Sequence, residues 1–412
     1  MPRTRWVSGS LVVTVTSLVV ACGGAPKEAS APGVVGDTIV VAALSPLSDA
    51  VAVIGKPLAA GLQGYAKQLN AKGGIAGRYQ LKVVEEDITY ANPTTGAQKY
   101  QKVKDNVALI AMTVGTDQVN GLLPLMAEDS MLLIPTTFDV EWVREPNILP
   151  WGAPYQVWAI NGVAYYLETA GAGKTICSLV LATGYGQAAE EGLAFAAKEL
   201  GFQVAVKGRF RQDDQDFVAP ISQLRNARCD AVVLASLPGV TGKVLGAAAQ
   251  LGFEPRWISQ GPTWHQTLVN TPLRDYYAKN LWVVAWGPEW DDTTAVGMRG
   301  VLEAAATFFP NQEPDLYFIA GYLQGMTTHA LLEKAIALGD LSRGGILRAM
   351  EQLTVPTGDL IGEYRYGPVA TREPPRTVSI FKMNPTKPFG IELMARDYTS
   401  PVAAKYSVPQ RH

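Results

Sequence analysis

The residues able to make or break bonds are few in this chain. The chain has only three Cys (Cys22, Cys177, Cys229) and three His in 412 residues. None falls in a CxxC pair, an HExxH run or a zinc-type spacing. No GxSxG elbow occurs, and His265 and His329 have no nucleophile partner in the sequence. Gly171-Ala172-Gly173-Lys174-Thr175 has the ending of a nucleotide phosphate loop, but Glu168 stands where that loop needs glycine. The strand that should precede such a loop follows it here, so a phosphate cradle cannot form. The pattern argues against an enzyme, a metal site and a bound cofactor. What remains is hydroxyls, amides and rings, which bind without making bonds.

Two loops concentrate those groups. Thr113-Val114-Gly115-Thr116-Asp117 ends where a helix is predicted to begin, and the free N–H groups of a helix N-terminus favour an anion. Equally, Thr116 or Asp117 caps that helix. In Ile134-Pro135-Thr136-Thr137-Phe138-Asp139 the carboxylate either meets a ligand cation or pairs with Arg144, the more usual fate of a loop acid. Nine Trp and sixteen Tyr are generous, and Trp151, Trp158, Trp264 and Trp286 fall near expected strand ends. As a group they favour an apolar or aromatic ligand, and a quaternary ammonium is the lesser option.

The scaffold must hold these loops together. A chain of this length, 48% hydrophobic and 17% charged, is too apolar for disorder and suits two lobes of about 150 to 200 residues each. A net charge of -2 with no cluster of Lys or Arg is no surface for nucleic acid. Apolar β-rich runs at 38–44, 81–85, 107–113 and 131–135 alternate with helical segments, which predicts a parallel sheet covered on both faces. A second series runs through 175–182, 203–206, 231–235, 256–259 and 281–284. The helix after the first strand of each series carries one pattern: Gly61-Leu62-x-x-x-Ala66-Lys67-x-Leu69 recurs as Gly192-Leu193-x-x-x-Ala197-Lys198-x-Leu200. The first of these helices is expected to start near Gly55, with Pro57 in its first turn. Helical segments at 293–309, 316–338 and 342–353 and a strand at 377–383 are left over, so the chain is expected to return to the first lobe and finish in the second.

The N-terminus is an address. Arg3 and Arg5 precede an uncharged apolar stretch from Trp6 to Val20, too short to span a bilayer and suited to a secretory signal. Val19-Val20-Ala21-Cys22 looks like a bacterial lipobox, with Cys22 receiving the lipid; the alternative is a plain signal peptide with an incidental Cys. Residues 1–21 are then the signal peptide and residues 22–36, rich in Gly, Pro and Ala, a flexible tether. The folded part would sit outside the cytoplasm, anchored to the membrane by that lipid.

Several segments carry a family. Ser45-Pro46-Leu47-Ser48, Asn70-Ala71-Lys72-Gly73-Gly74-Ile75-Ala76-Gly77-Arg78, Glu86-Asp87 and Ala182-Thr183-Gly184-Tyr185-Gly186 resemble the branched-chain-amino-acid-type (type I) substrate-binding proteins of ABC importers, as does the 358–367 region. The resemblance implies two doubly wound parallel-sheet lobes joined by three crossovers, with residues 37–155 plus 285–361 as lobe 1 and 156–284 plus 362–412 as lobe 2. It implies a monomeric receptor that closes by a hinge over a small molecule and presents it to permease subunits. A ligand-sensing module that signals to a membrane receptor and transports nothing would have the same fold.

The resemblance also places a ligand carboxylate on Thr116 and another contact on Thr137, with Ser45 and Leu47 beside them and the Tyr185 ring covering from the opposite lobe. Family members that bind amino acids hold the α-ammonium with acids in two stretches that here read Pro154-Tyr155-Gln156-Val157-Trp158 and Ser259-Gln260-Gly261-Pro262-Thr263-Trp264. Gln156 and Trp264 occupy that ground without charge. An ammonium buried with no counter-charge costs several kcal/mol, so an aromatic or aliphatic carboxylate is favoured over a branched-chain or other free amino acid. Cys177 and Cys229 flank strands that would be neighbours in a doubly wound order. They are either a disulfide, worth roughly 4 kcal/mol, or two buried thiols.

Overall fold

A computed structural model of the chain describes residues 1, 2, 4, 31–170 and 173–409. The expected signal sequence, Cys22 and most of the expected tether lie outside the described residues. The end of that tether is ordered: Val34–Val35 (β1) pairs antiparallel with Thr38–Ser45 (β2). Gly33 makes this possible, since a Cβ there would stand 2.0 Å from the Ala108 nitrogen.

Beyond β1 and β2 the strands are β3 (Gln80–Asp87), β4 (Ile110–Thr113), β5 (Ile176–Leu181), β6 (Val204–Phe210), β7 (Ala231–Ala235), β8 (Arg256–Gln260), β9 (Leu281–Ala285), β10 (Val378–Met383) and β11 (Ile391–Tyr398). The helices are α1 (Ala52–Ala71), α2 (Pro93–Val103), α3 (Thr116–Asp129), α4 (Tyr155–Thr169), α5 (Gly184–Leu200), α6 (Val218–Asn226), α7 (Pro238–Gln250), α8 (Arg274–Asn280), α9 (Val296–Phe308), α10 (Leu316–Ala337), α11 (Arg343–Met350) and α12 (Pro401–Lys405).

Two sheets result. In the first, β3 and β4 flank β2 in parallel, and single bridges at Leu133 and Ile148 continue the same direction. The expected strand at 131–135 is therefore an extended segment held by isolated bridges, its Pro135 unable to donate to a ladder. In the second sheet the order is β11-β10-β9-β8-β7-β5-β6. Strands β5 to β9 are parallel, while β10 and β11 are antiparallel additions. The reason is connectivity. After β9 the chain leaves to form α9, α10 and α11, with α9 and α10 packing on α1 beside the first sheet. It returns at Ser379, opposite Ala285 where β9 ended, so β10 can only run back the other way.

The repeated glycines explain how the two helix pairs pack. A Cβ at Gly61 would sit 2.1 Å from the Phe318 carbonyl oxygen on α10, and one at Gly192 would sit 2.1 Å from the Gln156 carbonyl oxygen on α4. In each case the helix after a sheet's first strand is approached at backbone distance by a helix that follows a crossing segment. Helix α1 begins one turn earlier than expected, because the Asp49 carboxylate accepts the Val51 N–H at 2.8 Å and starts the helix at Ala52, leaving Pro57 inside it. Cys177 on β5 and Cys229 before β7 form a disulfide with Cα atoms 6.0 Å apart.

Candidate functional site

Loops at the carboxyl ends of both sheets converge on one chamber, the place where doubly wound sheets take ligands. Tyr90, Gly115, Thr136 and Thr137 line it from the first sheet, with Ile54 and Leu58 of α1. Tyr155, Tyr185, Leu237 and Pro262 line it from the second, and Trp286 and Tyr317 close it. Among the described residues no charged side chain lines it. Its cavity volume is about 20 Å³, which is room for about one water. A larger solute can enter only if the walls part.

Hydroxyls give the chamber its polarity. Thr116 Oγ1 and Thr137 Oγ1 are 3.1 Å apart, and the Tyr155 hydroxyl donates to Thr137 Oγ1 at 3.2 Å. The rings of Tyr155 and Tyr185 meet with centroids 4.5 Å apart. The Tyr185 hydroxyl is buried without a hydrogen bond of normal geometry, although the Thr263 side chain lies beside it. Burial pushes Tyr90, Tyr155, Tyr185 and Tyr317 well above the usual phenol range, so all four remain neutral. Thr116 opens α3, which has no side-chain cap, and the N–H groups of that first turn have no partners within the helix.

The chamber adjoins a wide outer vestibule of about 850 Å³, lined by Thr116, Asp117, Asp49, Thr183 and Arg211 among others. Tyr90 and Gly115 border both spaces. A Cβ at Gly115 would press on the Tyr90 ring at 3.1 Å, and its φ of +107° suits glycine. These two residues therefore form the throat between vestibule and chamber.

The residues singled out from sequence divide clearly. Thr137 and Tyr185 line the chamber and Thr116 lines its vestibule while touching Thr137. Ser45 is spent on the fold, donating to the Gly55 carbonyl at 3.2 Å, and Leu47 N–H donates to Asp87 at 2.7 Å. Asp139 accepts from the Glu141 N–H at 3.1 Å and the Gln156 amide at 3.0 Å. Arg144 pairs with Glu373 instead, at 2.7 Å. Gln156 also donates to Glu191 at 3.1 Å and accepts the Val140 N–H, so both residues stitch the crossing segment and neither lines the chamber.

Trp264 turns away from the chamber, its indole N–H reaching the Phe389 carbonyl at 3.1 Å. Its own carbonyl accepts from the Tyr317 hydroxyl at 2.7 Å. Trp151, Trp158 and Trp286 pack on Phe138 at centroid distances of 4.9 to 5.9 Å, and Trp286 meets the other two at 6.1 and 5.5 Å, an aromatic wall in which Trp286 alone of the three reaches the chamber. Sequence reasoning missed Tyr90, Tyr155 and Tyr317. Tyr155 stood inside a stretch chosen for its missing acid, and its position at the first residue of α4 was the available signal.

A sequence profile of the periplasmic binding protein family matches residues 38–387. The chain belongs to that family. Its members hold solutes outside the cytoplasm without transforming them, and this chain has the type I form of the fold. The fatty acid ABC transporter substrate-binding protein from Thermomonospora curvata superposes with a TM-score of 0.85 at 23% identity, over 92% of this chain and 97% of the other. A branched-chain amino acid ABC transporter protein from Thermus thermophilus with bound valine gives 0.75 at 18%, over 90% and 99%. A leucine-binding protein from Thermotoga maritima gives 0.70 at 16%, over 88% and 99%. Among curated proteins none matches it in sequence.

Proposed function

We propose that this periplasmic binding protein is the solute receptor of an ABC importer, anchored through Cys22, that captures an aliphatic or aromatic carboxylate in preference to a free amino acid. One observation carries the reading: a tyrosine- and threonine-lined chamber between two sheets with no charged side chain in its wall. An α-ammonium there would lose its water and gain no counter-charge, at a cost of several kcal/mol. A carboxylate has donors waiting. The Tyr185 and Thr137 hydroxyls line the chamber, and the Thr116 hydroxyl and the uncapped start of α3 stand beside Thr137 at its vestibule; hydrogen bonds to an ion are the stronger kind. The likeness to a fatty acid transporter's binding protein supports the same class.

The chamber in its closed form supports a hinge. Residues 37–155 plus 285–361 would move as one lobe and 156–284 plus 362–412 as the other, with Thr137 and Tyr185 closing from opposite sides. Calorimetric titration of the purified protein with hexanoate, octanoate, phenylacetate, leucine and glycine betaine tests the assignment. Saturable binding of at least one carboxylate, with leucine and betaine silent, is the expected result. Leucine binding tighter than every carboxylate would refute it.

A further inference from the structure

The receptor reading requires two halves that close, and one contact across the gap involves no ligand group at all. Helix α5 begins at Gly184 on the second sheet's side, and its own N-cap residue Thr183 makes no side-chain cap. The Gly184 N–H is instead accepted at 3.1 Å by the carboxylate of Asp117, the second residue of α3 on the first sheet's side. An acid at a helix N-terminus is favoured by both the free N–H groups and the helix dipole. The fit depends on glycine: a Cβ at Gly184 would lie 2.6 Å from Thr116 Cγ2 and 3.0 Å from Asp117 Oδ1. Asp117 is exposed at the vestibule and absent from the chamber wall.

We infer that Asp117 is a closure-positioning residue, which caps α5 across the gap and thereby sets how much of the empty receptor stands closed. The cap exists only while the halves are together. Opening leaves α5 without its cap, so each closed molecule is favoured by what one cap is worth, whatever solute is bound. Affinity for any solute then scales with the closed population that Asp117 supports.

The test needs no solute. The full-length protein, freed of carried ligand by unfolding and dialysis, carries spin labels on ketone side chains introduced at the exposed positions Glu128 on α3 and Lys198 on α5. Pulsed dipolar spectroscopy then reads the distance between the halves. Asp117→Ala is expected to lower the ratio of short to long distances about fivefold, the ratio corresponding to one helix cap. Asp117→Asn, whose side-chain oxygen still accepts, retains most of the wild-type ratio. Gly184→Ala, acting from the other side of the gap, lowers it as well. Unchanged distributions in Asp117→Ala, an Asn variant as open as the Ala variant, or a wild-type protein already fully open would each overturn the inference. Because no ligand enters the measurement, a failed carboxylate titration leaves this result standing, and the reverse also holds.

Discussion

Asp139 offers a prediction that can be worked from its surroundings. It follows the segment that carries Thr137, and burial is the largest influence on it, pushing its carboxyl from 3.8 up to about 6. The Gln156 amide and the Glu141 N–H pull the other way, while the charges of Glu141 and Glu191 push further up. The sign follows from which state holds the proton more tightly. The folded state does, so this group's contribution is fully present below pH 3.8 and is lost as pH rises through about 6. A rise of roughly two units corresponds to about 3 kcal/mol of penalty for the ionised carboxylate. Asp139→Asn keeps an oxygen to accept from Gln156 and Glu141 but has no charge to bury. Urea denaturation of both proteins between pH 4 and pH 8 reads the difference. The Asn variant should be nearly equal to wild type at the acid end and more stable by up to about 3 kcal/mol above pH 7. A stability difference that stays constant across the range, or one that favours Asp139 at high pH, refutes the burial argument.

Further outcomes follow from other contacts. Tyr185→Phe removes a buried hydroxyl that has the Thr263 side chain beside it without a hydrogen bond of normal geometry, so the empty protein should lose less than about 1 kcal/mol in denaturation while calorimetric affinity for a bound carboxylate falls. Thr116→Val should weaken the same binding and leave the melting temperature of the empty protein nearly unchanged, whereas equal affinity would remove Thr116 from the site. Replacing both Cys177 and Cys229 by Ser opens a loop spanning 52 residues and should cost about 4 kcal/mol in urea denaturation. Gly61→Val forces α1 and α10 apart at a carbonyl 2.1 Å from the new Cβ and should destabilise by about 1 to 3 kcal/mol or more.

The scaffold was legible because its signals are local. Continuous apolar runs such as Ala231–Ala235 and Leu281–Ala285 became buried parallel strands, and the Gly61 and Gly192 patterns occupy matching helices. The antiparallel pair β10 and β11 was less legible: its direction depends on where the chain re-enters beside Ala285, which no window of sequence records. The site was half legible for a related reason. Thr137 follows the extended segment that continues the first sheet and Tyr185 lies in the first turn of the helix after β5, places where topology brings a side chain to the gap. Ser45, Leu47, Asp139 and Gln156 sit at similar places, yet each found a partner closer by in the folded chain. Whether a polar side chain faces a ligand or a neighbour is decided by tertiary distances of 3 Å or so, which spacing does not encode.

The division of labour around the gap follows from those distances. The chamber wall carries neutral groups, and the charged ones that bear on closure stand outside it. Asp117, exposed at the vestibule, reaches over it to α5. A charge inside a space the size of one water would set a large desolvation cost against every neutral solute and every empty closure. Charges at the rim hold the halves with little such cost, because water still reaches them when the halves part. On the proposed reading the chamber would select by shape and by its hydroxyl donors, while Asp117 at the rim would set how readily the receptor shuts. Changing the selectivity of this protein should then require substitutions at Tyr90, Thr137, Tyr155 or Tyr185, and changing its overall affinity without altering the order of preferred solutes should require only Asp117 or Gly184.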